Sequence, residues 1–479
     1  MPANYLHGVE TTRVDRSPRA VQVVKSAVIG LIGCAPAGPV NELTLCLTEK
    51  NGAVFGPQLG GFSIPDTLDA IYNQGVGTVI VINVLDPAIH KSLVPSEQAS
   101  FNPATGILKT AHPAIADLVL KSADGATTYT AGTDYSVDAV NGRIARLASG
   151  SIPAGATAVT LAYSYANPAL VTPAELIGAI DTLTGKRSGM KLFDDTFQKF
   201  GFFPKILIAP GYASLASISS ELVAWGDKLG AKALVDAPIG TTRTGAIAMR
   251  GPTVANSPFN TSNRAAILCY PHVKVYDPAT ESNRLQPLSA RLAGVMAAKD
   301  YENGYWWSPS NTEINGIVGL EFDLSARIDD AQSDVNLLNE AGIVTVFNSF
   351  GSGFRVWGNR LANFPSETGL GTFIAVTRTQ DVIDESIRYN ALQYADRPVN
   401  QALIDTIVES VSQFMRKLRG DSAILDGVCW YDPDRQTETE LGNGHVRFSY
   451  KFTPPPPFER GTFESELTSE YLVNLKGSQ

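Results

Sequence analysis

SAVIGLIG, residues 26–33, carries no polar side chain after Ser26. A short apolar run rich in β-branched residues reads as a strand covered on both faces, because a half-exposed strand would alternate apolar with polar. Five more runs share the texture: TVIVINVL (78–85), KILIAP (205–210), KALVDAP (232–238), RAAILCYPHVKVYD (264–277) and GIVTVFN (342–348). Between several of them, residues 66–74, 214–229 and 288–303 read as helices. Strands alternating with helices predict an α/β core with a largely parallel sheet. The core is expected to take in residues 25–93 and 168–370.

Residues 94–167 interrupt that pattern. ADLVLKS, TTYTAG, YSVD, RIARLA and AVTLAYSYA are short alternating stretches, and Asp124-Gly125 and Asn141-Gly142 supply tight hairpin turns. They predict a small all-β domain inserted into a surface loop. A further unit, 371–453, reads as an α+β C-terminal domain. In it TFIAVTRT (372–379), CWYDP and HVRFSYKF are expected strands. Asn400 is placed to cap a helix whose apolar stripe runs through Ile404, Ile407, Val408, Val411, Phe414, Met415 and Leu418 to Gly420.

Both ends look like strands without a sheet of their own. Pro454, Pro455, Pro456 and Pro457 lack backbone donors and favour extended geometry, so they form a semi-rigid spacer and hinge. Beyond them, in the arm 454–479, Phe463, Leu467 and Tyr471 fall on one parity and Glu464, Glu466 and Glu470 on the other. In the N-terminal arm, 1–24, YLHGVETTRVD (5–15) is a short extended segment containing Val9, Thr11 and Arg13, set off by Ser17-Pro18. Such segments either pair within their own subunit or add a strand to a neighbour's sheet; the alternation is the same in both cases.

The 479 residues suggest roughly three domains, and an apolar fraction of 44% can bury a sizeable core. No signal peptide or run of bilayer length is visible, which implies a soluble chain not addressed for export. Cys34, Cys46, Cys269 and Cys429 lie too far apart for a metal knuckle or redox pair, and the five histidines are scattered. A net charge of −9 argues against direct nucleic-acid binding, which needs a concentrated basic surface.

Candidate chemistry is thin. Gly30 and Gly33 lack the third glycine of a dinucleotide fingerprint and suit close strand packing. FNSFGSG (347–353) has Phe347 where a nucleophile elbow has glycine, which leaves Ser349 as a loop serine. Asp194-Asp195, Asp329-Asp330 and Asp432-x-Asp434 have no neighbouring histidine or recognisable ligand spacing and fit turns and caps. Neither a catalytic residue nor a cofactor or metal site is expected. Arg416, Lys417 and Arg419 crowd the last turn of the capped helix. They complement the helix dipole or present a basic end to an acidic partner.

Several strings in order resemble the contractile-tail sheath proteins of bacteriophages and related injection particles. They are YLHGVETTRVD with VKSAVIGLIGCAP, YENGYWWSPSNTEINGIVGLE (301–321), FRVWGNRL (354–361), FIAVTRTQDVIDESI (373–387), FMRKLRG (414–420) and the arm after the prolines. The resemblance spans nearly the whole chain, with the β insertion as its variable part. Asn359 and Leu361 depart from it, where a small residue and a threonine flanking the arginine would be expected. It implies a mechanical protein and no enzyme: hexameric rings stacked helically around an inner tail tube and linked by exchanged terminal strands. Contraction would drive the tube through the target envelope. Arg416, Lys417 and Arg419 match the tube-facing segment. The other implied partners are baseplate and tail terminator proteins, and the implied place is the virion tail, assembled in the host cytoplasm. A cytosolic α/β enzyme and a static shell component are the alternatives, and polymer formation with two states of different pitch separates the three.

Overall fold

The computed structural model describes residues 21–472, except 279, 328 and 350–352. Its central sheet has eight strands: β1 (Val28–Gly33), β2 (Thr44–Cys46), β3 (Thr78–Asn83), β4 (Ile206–Ile208), β5 (Lys232–Asp236), β6 (Ala266–Cys269), β7 (Ile343–Ser349) and β8 (Gly353–Trp357). They lie in the order β8-β7-β6-β5-β4-β1-β3-β2. The six inner strands are parallel, and β2 and β8 close the edges antiparallel. The continuous apolar runs follow from this topology, because successive residues of β1 and β3 face opposite, equally covered sides. Ile32, Ile80 and Ile82 pack with Leu222 and Trp225 of helix α2 (Ala216–Leu229). On the other face, Ile29, Leu31, Val79 and Val81 meet α1 (Ser63–Tyr72) and α3 (Leu288–Glu302).

Two strand expectations need correction. Residues 264–277 form β6 and a separate strand, Val273–Asp277, which belongs to a three-stranded sheet of its own. Pro271 between them has no amide to donate to a ladder. Residues 374–379 are helical, the start of α4 (Ile374–Ala391). Ile374, Ala375, Val376, Thr377, Arg378 and Thr379 are all buried, so their β-branched texture reflects a helix covered all round. Thr377 and Thr379 satisfy their buried hydroxyls by donating to the carbonyls of Phe373 and Ala375, four residues back.

Between β3 and β4 the chain builds two small antiparallel sheets. One contains Lys91–Ser100, Ala158–Ala166, Ile115–Ser122 and Thr128–Tyr129; the other Ile107–Lys109, Arg143–Arg146 and Tyr135–Asp138. Phe101, Leu120, Tyr135, Ile144 and Leu161 are part of a core between them that is separate from the central one. The first and last long strands pair from Lys91↔Ala166 to Ser100↔Ala158, so the segment leaves the framework beside where it entered. The first strand begins at Lys91, ahead of the expected boundary at 94.

Candidate assembly surface

Past α4 the chain forms α5 (Gln401–Gly420) and a hairpin, β9 (Asp426–Tyr431) with β10 (Phe448–Thr453). Asn400 caps α5, its side chain accepting from the Leu403 amide at 2.9 Å. Ile404, Val411, Phe414, Met415 and Leu418 form the buried stripe. Against Phe414, Met415 and Leu418 lie Cys429 of β9 and the partly buried Phe448, Tyr450 and Phe452 of β10. The Tyr450 hydroxyl donates to Asp384 on α4 at 2.6 Å, tying hairpin to helix. Burial pushes the Asp384 carboxyl upward, opposed by its hydrogen bond from Tyr450, and burial together with that same bond pushes the Tyr450 phenol upward.

Among the described residues this sheet has two strands, so each has an outer edge that pairs with no further strand. Its outer face carries the exposed Val428 and Trp430, with the Lys451 ammonium 5.9 Å from the Trp430 ring. Two strands alone are marginal in water, and here the packing on α5 supports the inner face only. An added strand would satisfy an edge and cover part of that face.

The arm leaves from β10. Pro454 is buried, and residues 454–468 form neither helix nor strand. Phe463, Leu467 and Tyr471 are 93%, 105% and 72% exposed, an apolar series that the other described residues leave uncovered. Val9, Thr11 and Arg13 lie outside the described residues. Arg416, Lys417 and Arg419 are all exposed on α5. Arg416 pairs with Glu409, and Arg419 lies 3.6 Å from Asp426, so the basic end is partly neutralised from within the subunit.

The candidate chemical groups are engaged in structure. A Cβ on Gly30 would come 2.9 Å from the Leu207 and Phe193 side chains, and one on Gly33 would come 2.3 Å from Ser63 Oγ. Both glycines therefore serve close packing, the second where Ser63 accepts from the Cys34 amide. Asp195 pairs with Arg187 at 2.7 Å and Asp194 with Lys228 at 2.6 Å. Asp329 pairs with Arg327, and Asp432 accepts from the Asp434 amide. Ser349 ends β7. The four thiols are buried, and burial pushes Cys34 and Cys46 up to about 11, away from the reactive thiolate. Among the described residues, no group of three His, Cys, Asp or Glu could hold a metal ion.

Sequence reading missed the joint between the sheet and α4. Lys205 pairs with Glu385, Lys232 with Asp381 at 2.7 Å, and Arg378 makes a two-pronged contact with Asp300 at 2.7 and 2.6 Å, all nearly or fully buried. Lysines opening two core strands, in KILIAP and KALVDAP, were the only local sign.

Sequence comparison assigns this arrangement to a known class. Residues 185–361 match the phage tail sheath protein central domain and residues 370–468 the phage tail sheath C-terminal domain. The chain is 56% identical over 477 residues to the tail sheath protein of Burkholderia phage BcepMu, covering 100% of both. This chain belongs to the contractile phage tail sheath family. It is a structural sheath protein of the virion tail and not an enzyme, which overturns the alternative of an α/β enzyme. The tail sheath protein of Escherichia phage P2 is 28% identical over 312 residues, 64% of this chain and 73% of that one. Residues 94–173 match a further family of unknown function. Among solved structures, the sheath fold is shared with the anti-feeding prophage helical sheath in its contracted state, with a TM-score of 0.59 at 15% identity, covering 98% of this chain and 100% of the other. The contracted sheath complex of the extracellular injection system PVC gives a TM-score of 0.58 at 13% identity, covering 98% and 99%.

Proposed function

We propose that this sheath subunit polymerises as stacked hexameric rings around an inner tail tube, and that contraction of the polymer drives the tube through the bacterial envelope. The observation that carries this reading is an uncovered apolar arm and an open-edged hairpin on one chain, which we read as donor and acceptor. The arm beyond Pro457 exposes Phe463, Leu467 and Tyr471, while the β9–β10 hairpin keeps open edges. Because donor and acceptor are different surfaces, each subunit can give one strand and take another, and such contacts propagate into rings or helices. The N-terminal segment with Val9, Thr11 and Arg13 takes part in the same exchange.

About six backbone hydrogen bonds per arm, at about 0.5 to 1.5 kcal/mol net each, hold subunits together while weaker lateral contacts rearrange. The work comes from conformational energy stored at assembly, with neither nucleotide nor cofactor. Arg416, Lys417 and Arg419 dock the sheath on the inner tube protein, and the ends of the polymer meet baseplate and tail terminator proteins. Assembly takes place in the host cytoplasm. The subunit contacts no nucleic acid directly and does not insert into membrane; among the described residues no helix is long and apolar enough to cross one.

Truncation after Pro457 tests the reading. The shortened chain is expected to fold and stay soluble but to form no stable sheath in electron micrographs. Normal sheaths from it would sink strand donation. Two polymer states of different pitch from the full chain would separate a contractile sheath from a static shell.

A further inference from the structure

The arm is anchored before it becomes free. Arg360, in the loop after β8, donates from Nε to one oxygen of Glu459 at 2.9 Å and from Nη2 to the other. A planar fork on both oxygens of a carboxylate is the most directional ion pair available to side chains. The guanidinium is itself locked. Its carbon lies 3.7 Å from the centre of the Phe373 ring and 4.7 Å from that of Phe364, and Nη1 donates to Thr372 Oγ1. The Arg360 side chain is only 14% exposed and Glu459 43%. The loop beneath is held by Arg250, which donates to the carbonyls of Ala362 and Phe364 at 2.6 and 2.9 Å.

The four prolines are therefore fixed at both ends. Thr453 pairs with Asp426 at the end of the hairpin, and Glu459 is gripped one residue past Phe458. A proline run with both ends held behaves as a strut. It forms one wall of a groove of about 1920 Å³ whose other lining includes Trp306, Trp307 and Trp357. Arg460 and Gly461 are exposed, and glycine is the first residue after the anchor that turns without steric penalty.

We propose that Arg360 is the positioning residue for the C-terminal arm: by clamping Glu459 it makes 454–459 rigid and moves the pivot from the prolines to Arg460 and Gly461. The donor subunit thereby sets the direction in which Phe463, Leu467 and Tyr471 are presented. Part of the ordering entropy of capture is then met before the neighbour arrives. This rests on the arm-donation reading above.

The test uses the dilute full-length chain. Trypsin cuts after Arg460, and its rate there, divided by that for a free peptide spanning 454–468, reports how firmly the root is held. Arg360→Gln is expected to raise that ratio about three- to tenfold, and Arg360→Lys, which keeps the charge without the fork, by less. Salt should raise the wild-type ratio and leave the Arg360→Gln ratio unchanged. Glu459→Gln, a change on the exposed tail that leaves the folded body intact, should match Arg360→Gln once divided by its own peptide. Both variants should assemble sheath more slowly than wild type, with Arg360→Lys in between. An unchanged ratio in both variants would remove the clamp. Faster cleavage with wild-type assembly would remove the positioning role. Arm donation is judged separately by the truncation after Pro457, which deletes the donor strand whether or not a clamp exists.

Discussion

Asp300 and Asp236 are both buried carboxylates, and their surroundings give them opposite energetic signs. Asp300 faces Arg378, with two short contacts and both side chains out of water. Removing one member of such a pair strands the other charge, which costs about 3–5 kcal/mol. Asp300→Asn is therefore expected to lower the unfolding free energy of the dilute subunit by about that amount, read as a shift in urea midpoint with unchanged slope. Asp236 has softer partners: it accepts from the amide of Ser289 at 2.9 Å and from its hydroxyl. Burial raises its pKa, opposed by the charge of His272 and the Ser289 hydrogen bonds. A carboxyl raised in the folded state contributes stability below its unfolded value near 3.8 and loses that contribution as pH climbs through the folded value. Asp236→Asn should thus hold or raise the melting temperature at pH 7 and flatten the decline above about pH 4. A clear drop at pH 7 would mean that the carboxylate is ionised there and held by the Ser289 amide and hydroxyl.

Helix α5 carries two faces, one buried and apolar, the other exposed and charged. Its apolar stripe supports the hairpin, and substitutions there would unfold the acceptor before they informed on docking. Its exposed cations can be changed without touching that stripe. Arg416 and Arg419 already answer Glu409 and Asp426, whereas Lys417 makes no ion pair among the described residues. Each exposed charge contributes only about 0.2 to 1 kcal/mol, but repetition along a polymer multiplies the effect. Reversing all three to Glu should leave folding and self-polymerisation intact while reducing sheath on tubes about tenfold or more at low salt. Lys417→Glu alone should account for most of the loss, and raising salt should mimic it in part. Equal tube occupancy in a co-sedimentation assay would return these charges to dipole complementation and local pairing.

The whole molecule is a doubly covered parallel sheet with a β-rich segment spliced into one loop and a helix–hairpin unit clamped beneath. The clamp is electrostatic: Lys205–Glu385, Lys232–Asp381 and Arg378–Asp300 join strand starts and α3 to α4. Buried pairs of this kind reward one relative arrangement of the units and penalise others. The inserted segment is built differently, with its own core and adjacent ends. Replacing 91–166 by a short Gly/Ser linker should preserve the circular dichroism of the core and its ability to polymerise, because closing a short gap costs little. Loss of folding would show that the contacts of Ala114 and Ala166 with the central core are required for the framework.

Runs such as TVIVINVL and GIVTVFN are short, apolar and β-branched, and that alone implied buried parallel strands; hairpin turns and alternation likewise marked the inserted segment. The stripe, cap and terminal glycine of α5 were equally local, and strings in family order across the chain pointed to a sheath. The start of α4 was not legible, since FIAVTRT has the texture of a strand and becomes helical because its whole circumference is enclosed. Nor were the partners of the buried lysines, which lie 149 to 180 residues away. Residues 360 and 459 meet across 99 positions with nothing in either neighbourhood to announce it. Local periodicity is a property of neighbouring residues and can be read along the chain. Which charges share a desolvated joint, and where a tail is gripped, depend on groups that only the folded chain brings within hydrogen-bond distance.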